Sequence, residues 1–173
     1  KISAPDAKLW NIRAANLYEA TVEIRNDTFS DRQKQTFGFR YFTVGEKNGD
    51  KRFYLNGRRV FIFAAMTRGF WPKNGMTPTG DMARRDILSA WHLGFNTMLF
   101  HRAIGQDEIT DLCDKHGLLV YEEPGGYRCT PEPTEQARKW RREKLRRMVM
   151  RDRSRPSFVI YNLKNEAAKP PSD

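Results

Sequence analysis

The chain has 173 residues, 39% hydrophobic and 30% charged, which suits a folded domain with a sizeable core and excludes a disordered polymer. No apolar run approaches the length of a membrane-spanning helix, so a membrane partner is not expected. The net charge of +10 and pI near 9.9 keep an anionic partner, nucleic acid included, open until the charge is located.

In chain order, residues Lys1–Asn16 read as irregular, with Pro5 and Trp10. Leu17–Ile24 alternates in a strand-like way, Arg25–Arg32 is a polar turn region, and Gln33–Val44 reads as a second strand through Phe37, Phe39, Tyr41 and Phe42. Two strands cannot make a stable β domain alone. A Gly-, Asn- and Lys-rich run at Gly45–Asp50 marks a domain boundary. Beyond it, Phe53–Leu55 and Val60–Phe63 flank Asn56-Gly57, a hairpin signal because both residues tolerate positive φ. The first strand of the next unit is expected at Val60–Ala65, followed by a loop over Met66–Pro78.

A strand–helix rhythm then begins. Thr79 caps a helix with Asp81 in its first turn; Met82, Ile87, Leu88 and Trp91 form its apolar face, and Gly94 stops it. Phe95–Phe100 is a strand ending in His101 and Arg102. Gln106–His116 is a helix with Ile109, Leu112 and Cys113 inward and Gly117 as its stop. Leu118–Tyr121 is the third strand, leading into Glu122 and Glu123. Thr134 opens a helix with ten Lys and Arg between Arg138 and Arg155. Its apolar face is Ala137, Trp140, Leu145, Met148 and Val149, so the charge reads as a solvated helix face and nucleic-acid binding ranks a distant second. Phe158–Leu163 is the fourth strand.

Alternating strands and helices argue for parallel βαβ units, whose right-handed crossovers put every strand C-terminus on one edge. That edge collects Arg68, His101, Arg102, Glu122, Glu123, Asn165 and Glu166, the pattern of a (β/α)8 active face. A small doubly wound sheet fits the same periodicity. No glycine-rich phosphate loop follows any strand. Glu122 and Glu123 are adjacent and cannot both face the same pocket; one faces it and the other pairs with a nearby Arg. Trp71 and Tyr127 are loop aromatics that could stack on a flat ligand or pack their own loops. Cys113 and Cys129 have no zinc-like spacing and make no disulfide framework; Cys113 is expected to be buried.

The stretch Arg151–Glu166 carries the most specific signal. Arg-Asp-Arg-Ser-Arg-Pro-Ser followed by Asn165-Glu166 resembles the signature of glycoside hydrolase family 2, which includes β-galactosidases, β-mannosidases and β-glucuronidases. Gly38-Phe39-Arg40, Leu55-Asn56-Gly57 and Leu112–Leu118 are similar to further family landmarks, in the right order. Ser154-Arg155 stands where the family usually has Asn-His, and Lys164 where it often has Gly.

The resemblance implies an α/β fold: the first half of a (β/α)8 TIM barrel at 47–173, preceded over 1–46 by a β-hairpin remnant of an immunoglobulin-like β-sandwich, in a chain cut from a longer protein. It implies hydrolysis of terminal β-glycosidic bonds with retention, Glu166 as general acid/base and a nucleophilic Glu outside this sequence. It assigns Asn165 to the sugar 2-hydroxyl and His101 to the sugar; Glu123 and Arg68, placed on the same edge by the strand order, complete the expected substrate-binding set. No cofactor and no metal is carried over, since Pro124-Gly125-Gly126 does not match the galactosidase magnesium ligands. The expected partners are a carbohydrate substrate and further copies of the protein in a homo-oligomer. A non-catalytic carbohydrate-binding relative is the alternative.

Overall fold

A computed structural model describes residues 3–71, 74–125, 134–163 and 165–166. The element order is β1 (Tyr18–Arg25), β2 (Ser30–Phe37), β3 (Phe42–Lys47), β4 (Asp50–Leu55), β5 (Arg58–Val60), β6 (Ala64–Thr67), α1 (Gly80–His92), β7 (Thr97–Phe100), α2 (Asp107–His116), β8 (Leu119–Glu122), α3 (Glu135–Asp152) and β9 (Phe158–Tyr161). They form a β1–β2 hairpin, an antiparallel β3–β4–β5 sheet, and a four-stranded sheet in the order β6–β7–β8–β9. Every pairing in the last sheet is parallel.

The β1–β2 hairpin runs in unbroken register from Tyr18 opposite Phe37 to Arg25 opposite Ser30. Asn26 builds its turn, its side-chain oxygen accepting from the amides of Thr28 and Phe29. Val22, Ile24 and Phe29 of this hairpin are exposed.

The single strand expected over Gln33–Val44 is broken. β2 ends at Phe37 and β3 starts at Phe42. Between them Gly38 sits tightly against Trp10 and Pro156, and Arg40 turns away to donate to the carbonyls of Pro156 (2.8 Å) and Phe158. The Gly45–Asp50 run is a hairpin, not a linker: Asn48 and Gly49 take positive φ and close β3 on β4. A boundary at 46/47 would cut that hairpin.

Asn56-Gly57 turns β4 into β5, with φ of 51° and 77°. The first parallel strand lies later than expected, at Ala64–Thr67, because Val60 belongs to β5. Asn96 holds the residues between: its side chain accepts from the Phe63 amide (2.9 Å) and donates to the Phe61 carbonyl (2.7 Å).

The helices start where the capping residues stand. Thr79 accepts from the Met82 amide and Thr134 from the Ala137 amide. Gly117 ends α2 at φ 69°, and a Cβ there would collide with the Arg13 backbone, so conformation and close approach both demand glycine. α3 departs from its expected inward face. Met148 is buried, but Trp140 is 71% exposed and Val149 is exposed. Only Met148 and Asp152 of α3 are buried, so the helix docks through its last turns.

Two apolar clusters sit on opposite faces of the parallel sheet. Ala83, Ile87 and Ala90 of α1, Ile109 and Cys113 of α2, and Met98, Phe100, Val120 and Phe158 of the strands form one, with Trp71. Trp71 donates to Asp86 (2.9 Å), so it packs the core instead of presenting a face to a ligand. Trp10, Leu55 and Leu119 form the other, against Phe42, Val60 and Val159. Neighbouring Leu119 and Val120 thus point to different clusters, as the strand period of two requires. Burial drives the Cys113 thiol well above its ordinary pKa, so it is an inert core group. Cys129, Tyr127 and Lys164 lie outside the described residues.

Candidate active site

The C-terminal ends of β7, β8 and β9 converge on one hydrogen-bonded cluster. His101 and Arg102 follow β7 directly, and the His101 amide donates to the Thr67 carbonyl at the end of β6 (2.8 Å). Arg102 takes a left-handed backbone conformation, φ 60°. That turn aims its main-chain amide at Glu123 Oε2 (2.7 Å) and its Nε at Asn165 Oδ1 (2.9 Å). Its guanidinium also lies 3.5 Å from Glu166 Oε1.

Asn165 Nδ2 is 2.9 Å from His101 Nε2. Arginine only donates, so the Asn165 atom facing it must be the oxygen, and the amide nitrogen faces histidine. That nitrogen only donates, so His101 Nε2 accepts and the ring proton sits on Nδ1. Nδ1 is buried and has no hydrogen-bond partner among the described residues.

The two neighbouring glutamates go different ways. Glu123 is buried, with one oxygen on Arg102 and the other accepting from Asn162 Nδ2 (3.0 Å). Glu122 is fully buried and turns to the other side of the strand, where its Oε1 accepts from the Gly105 amide (2.8 Å) and Arg151 (3.0 Å). Arg151 also holds buried Asp152 at 2.7 Å. Burial, then the nearby Asp152 charge, push Glu122 up to about 8 against the pull of Arg151. Burial raises Asp152 as well.

Of the residues singled out from sequence, His101, Glu123, Asn165 and Glu166 meet in one network. Arg68 stands one residue past β6, exposed, and takes no part in it. Glu166 has a half-exposed side chain and φ 47°, so it stands at the solvent side of the cluster. Arg102 and Asn162 join the cluster without a role assigned from the sequence. The signal for both was position: each is within two residues of a parallel strand's end. Among the described residues no group of three or more His, Cys, Asp or Glu could hold a metal ion, and no helix is long and apolar enough to cross a membrane.

The Arg-Asp-Arg-Ser-Arg-Pro-Ser stretch is scaffold beneath this cluster. Arg155 lies against four carboxylates: Asp107 (3.2 Å), Asp111, Asp114 (3.3 Å) and Asp152 (3.5 Å). Asp114 accepts from the Ser157 amide (3.0 Å), and the Ser157 carbonyl receives the Val120 amide (2.7 Å). Trp10 donates its indole N–H to the Asp114 carbonyl (2.8 Å).

The chain is similar to known glycosidases. The family model "Glycosyl hydrolases family 2" matches residues 1–40. A β-galactosidase of Thermoanaerobacterium thermosulfurigenes is 29% identical over 92% of this chain and 22% of its own length. A putative β-glucuronidase of Formosa agariphila is 30% identical over 92% of the chain and 16% of its own length. The solved structure of Bacteroides uniformis β-glucuronidase 3, without ligand, superposes with a TM-score of 0.82 at 29% identity, covering 92% of this chain and 20% of that one. The chain thus spans about a fifth of the length of the relatives it matches.

Proposed function

We propose that this chain, a family 2-like glycoside hydrolase segment, supplies one side of the active site of a retaining β-glycosidase. The observation that carries the reading is the joining of His101, Arg102, Glu123, Asn165 and Glu166 across the ends of three adjacent parallel strands. In this reading β6–β9 are the first four strands of a (β/α)8 barrel, and β1–β2 closes a separate immunoglobulin-like sandwich. The hairpin at 48–49 favours a boundary earlier than 46/47, in the break between β2 and β3.

Glu166 is the general acid that protonates the leaving oxygen, then the base that activates water. Its half-exposed position lets a glycosidic oxygen reach it. Asn165 keeps one N–H and one lone pair beyond its bonds to His101 and Arg102, enough to grip the sugar 2-hydroxyl. His101, with Nδ1 buried, acts here by holding the Asn165 amide through Nε2. Glu123, with both oxygens engaged, braces the cluster instead of touching sugar. Arg68 is exposed near the same edge and is assigned to a more distant part of the substrate. The attacking carboxylate comes from a part of the protein outside this chain. Substrates are β-galactosides or β-glucuronides, the classes named for its relatives. The assembly is a homo-oligomer.

The test is Glu166→Gln in the whole protein, assayed on aryl β-galactosides and β-glucuronides. Hydrolysis of poor leaving groups should fall about 10²–10⁴-fold, the loss expected of general acid catalysis. Activated leaving groups should suffer less in the first step, and azide should restore turnover. Equal rates for wild type and variant on both kinds of leaving group would overturn the assignment.

A further inference from the structure

We propose that Arg102 is a positioning residue for the glycosidase reaction, acting through Asn165. The inference rests on the function proposed above and assigns a residue that reading leaves without a role. Four observations combine. Arg102 adopts φ 60°, a conformation that is strained for a non-glycine residue and persists only where the surroundings hold it. Its main chain is held by Glu123, whose second oxygen is held by Asn162. Its Nε donates to Asn165 Oδ1 at 2.9 Å, which fixes which way the amide points. The amide then faces His101 with its nitrogen, which fixes the imidazole tautomer with its proton on the buried Nδ1.

One side chain therefore sets the polarity of two others. If the Asn165 amide turned over, its oxygen would face His101 Nε2. Two acceptors would then meet, the histidine proton would move to Nε2, and Nδ1 would become an acceptor. The N–H and the lone pair that Asn165 keeps for a substrate hydroxyl would also change places. Arg102 enforces one of these two arrangements because a guanidinium cannot accept. Its guanidinium also lies 3.5 Å from Glu166, so the same residue limits where the acid/base can stand. Lysine could keep the charge, but an ammonium lacks the planar, directed Nε–H.

The experiment is a double-mutant cycle in the whole protein, with Arg102→Met, Asn165→Ala and the double variant on p-nitrophenyl β-galactoside and β-glucuronide. Arg102→Met should lower kcat/KM about 10–100-fold, chiefly through kcat, because the amide's grip matters most in the transition state. In the Asn165→Ala background the same change should cost less than about threefold, since residues in one network do not add. Arg102→Lys should recover little of the loss. Equal penalties in both backgrounds, or full recovery with Lys, would overturn the proposal.

A wild-type protein inactive on both substrates would sink the proposed function and leave the local geometry to be judged by hydrogen exchange. Arg102→Met should then loosen the peptide that ends β9, and should add nothing once Asn165 is Ala. Additive loosening would overturn the positioning role by itself.

Discussion

Removing the Arg155 side chain should cost the fold several times what a surface ion pair is worth. Only 16% of its side chain is accessible, and its guanidinium serves four carboxylates of very different exposure. Asp107 and Asp111 are more than half exposed, and pairs of that kind are worth about 0–1 kcal/mol each. Asp114 and Asp152 are buried, and breaking a buried pair costs about 3–5 kcal/mol because a charge is left uncompensated. Each keeps one other partner: Asp114 the Ser157 amide, and Asp152 the Arg151 guanidinium. The lower end therefore applies, and Arg155→Met should cost about 3 kcal/mol at neutral pH.

The pH sign follows from Asp114. Its carboxyl is already raised by burial, so folding is opposed once the pH passes its ordinary unfolded value. Losing Arg155 enlarges that opposition, and protonation relieves it. The penalty should thus be larger at pH 7.5 than at pH 4.5. Native-state hydrogen exchange on the whole protein reads this locally. Protection of the Ser157–Tyr161 amides should drop on the order of a hundredfold at pH 7.5, with about 1.4 kcal/mol per tenfold. Asp111→Asn should change it less than about tenfold. A drop of under tenfold for Arg155→Met, or one that is equal at both pH values, would refute the reasoning.

Glu122, pushed up to about 8, keeps in the folded state a proton that the unfolded chain releases near 4.5, so its contribution weakens as pH rises between those values. Glu122→Gln should flatten that decline and gain on the order of 1–3 kcal/mol above pH 8, read from urea unfolding at pH 5, 6.5 and 8.5; parallel profiles for the two proteins would contradict it. Phe61, Phe63, Met66 and Phe70 are exposed in and around β6, apolar surface that the rest of the protein or a second copy would cover. Sedimentation of the whole protein should show self-association, and a monomer at every concentration would refute the homo-oligomer.

Much of the fold is written in local chemistry. Thr79 and Thr134 act as caps, Asn56-Gly57 turns, and Gly117 stops its helix because each does so through bonds to residues within a turn or two. The start of β6 was not legible, because Val60–Met66 is one apolar run and the residue that divides it, Asn96, comes 33 residues after Phe63. The α3 face was misread for a related reason. Helical spacing names a stripe, but whether Trp140 is covered depends on what packs there. At the site, strand ends gave His101, Glu123, Asn165 and Glu166 a common edge. Arg102 could not be assigned a role, because its left-handed φ and its reach to Asn165, 63 residues away, exist only after the strands align.

The bonds from Arg40 to the carbonyls of Pro156 and Phe158 link residues made far apart in time. Arg40 leaves the ribosome 118 residues before Phe158. At about 5–20 residues per second, that is roughly 6–24 s of synthesis. Trp10 waits almost as long for Asp114, its partner 104 residues on. During that interval the Arg40 guanidinium lacks both of its carbonyl acceptors, and the Trp10 indole N–H lacks its own. The Arg40 anchor is therefore completed only once β9 has been made.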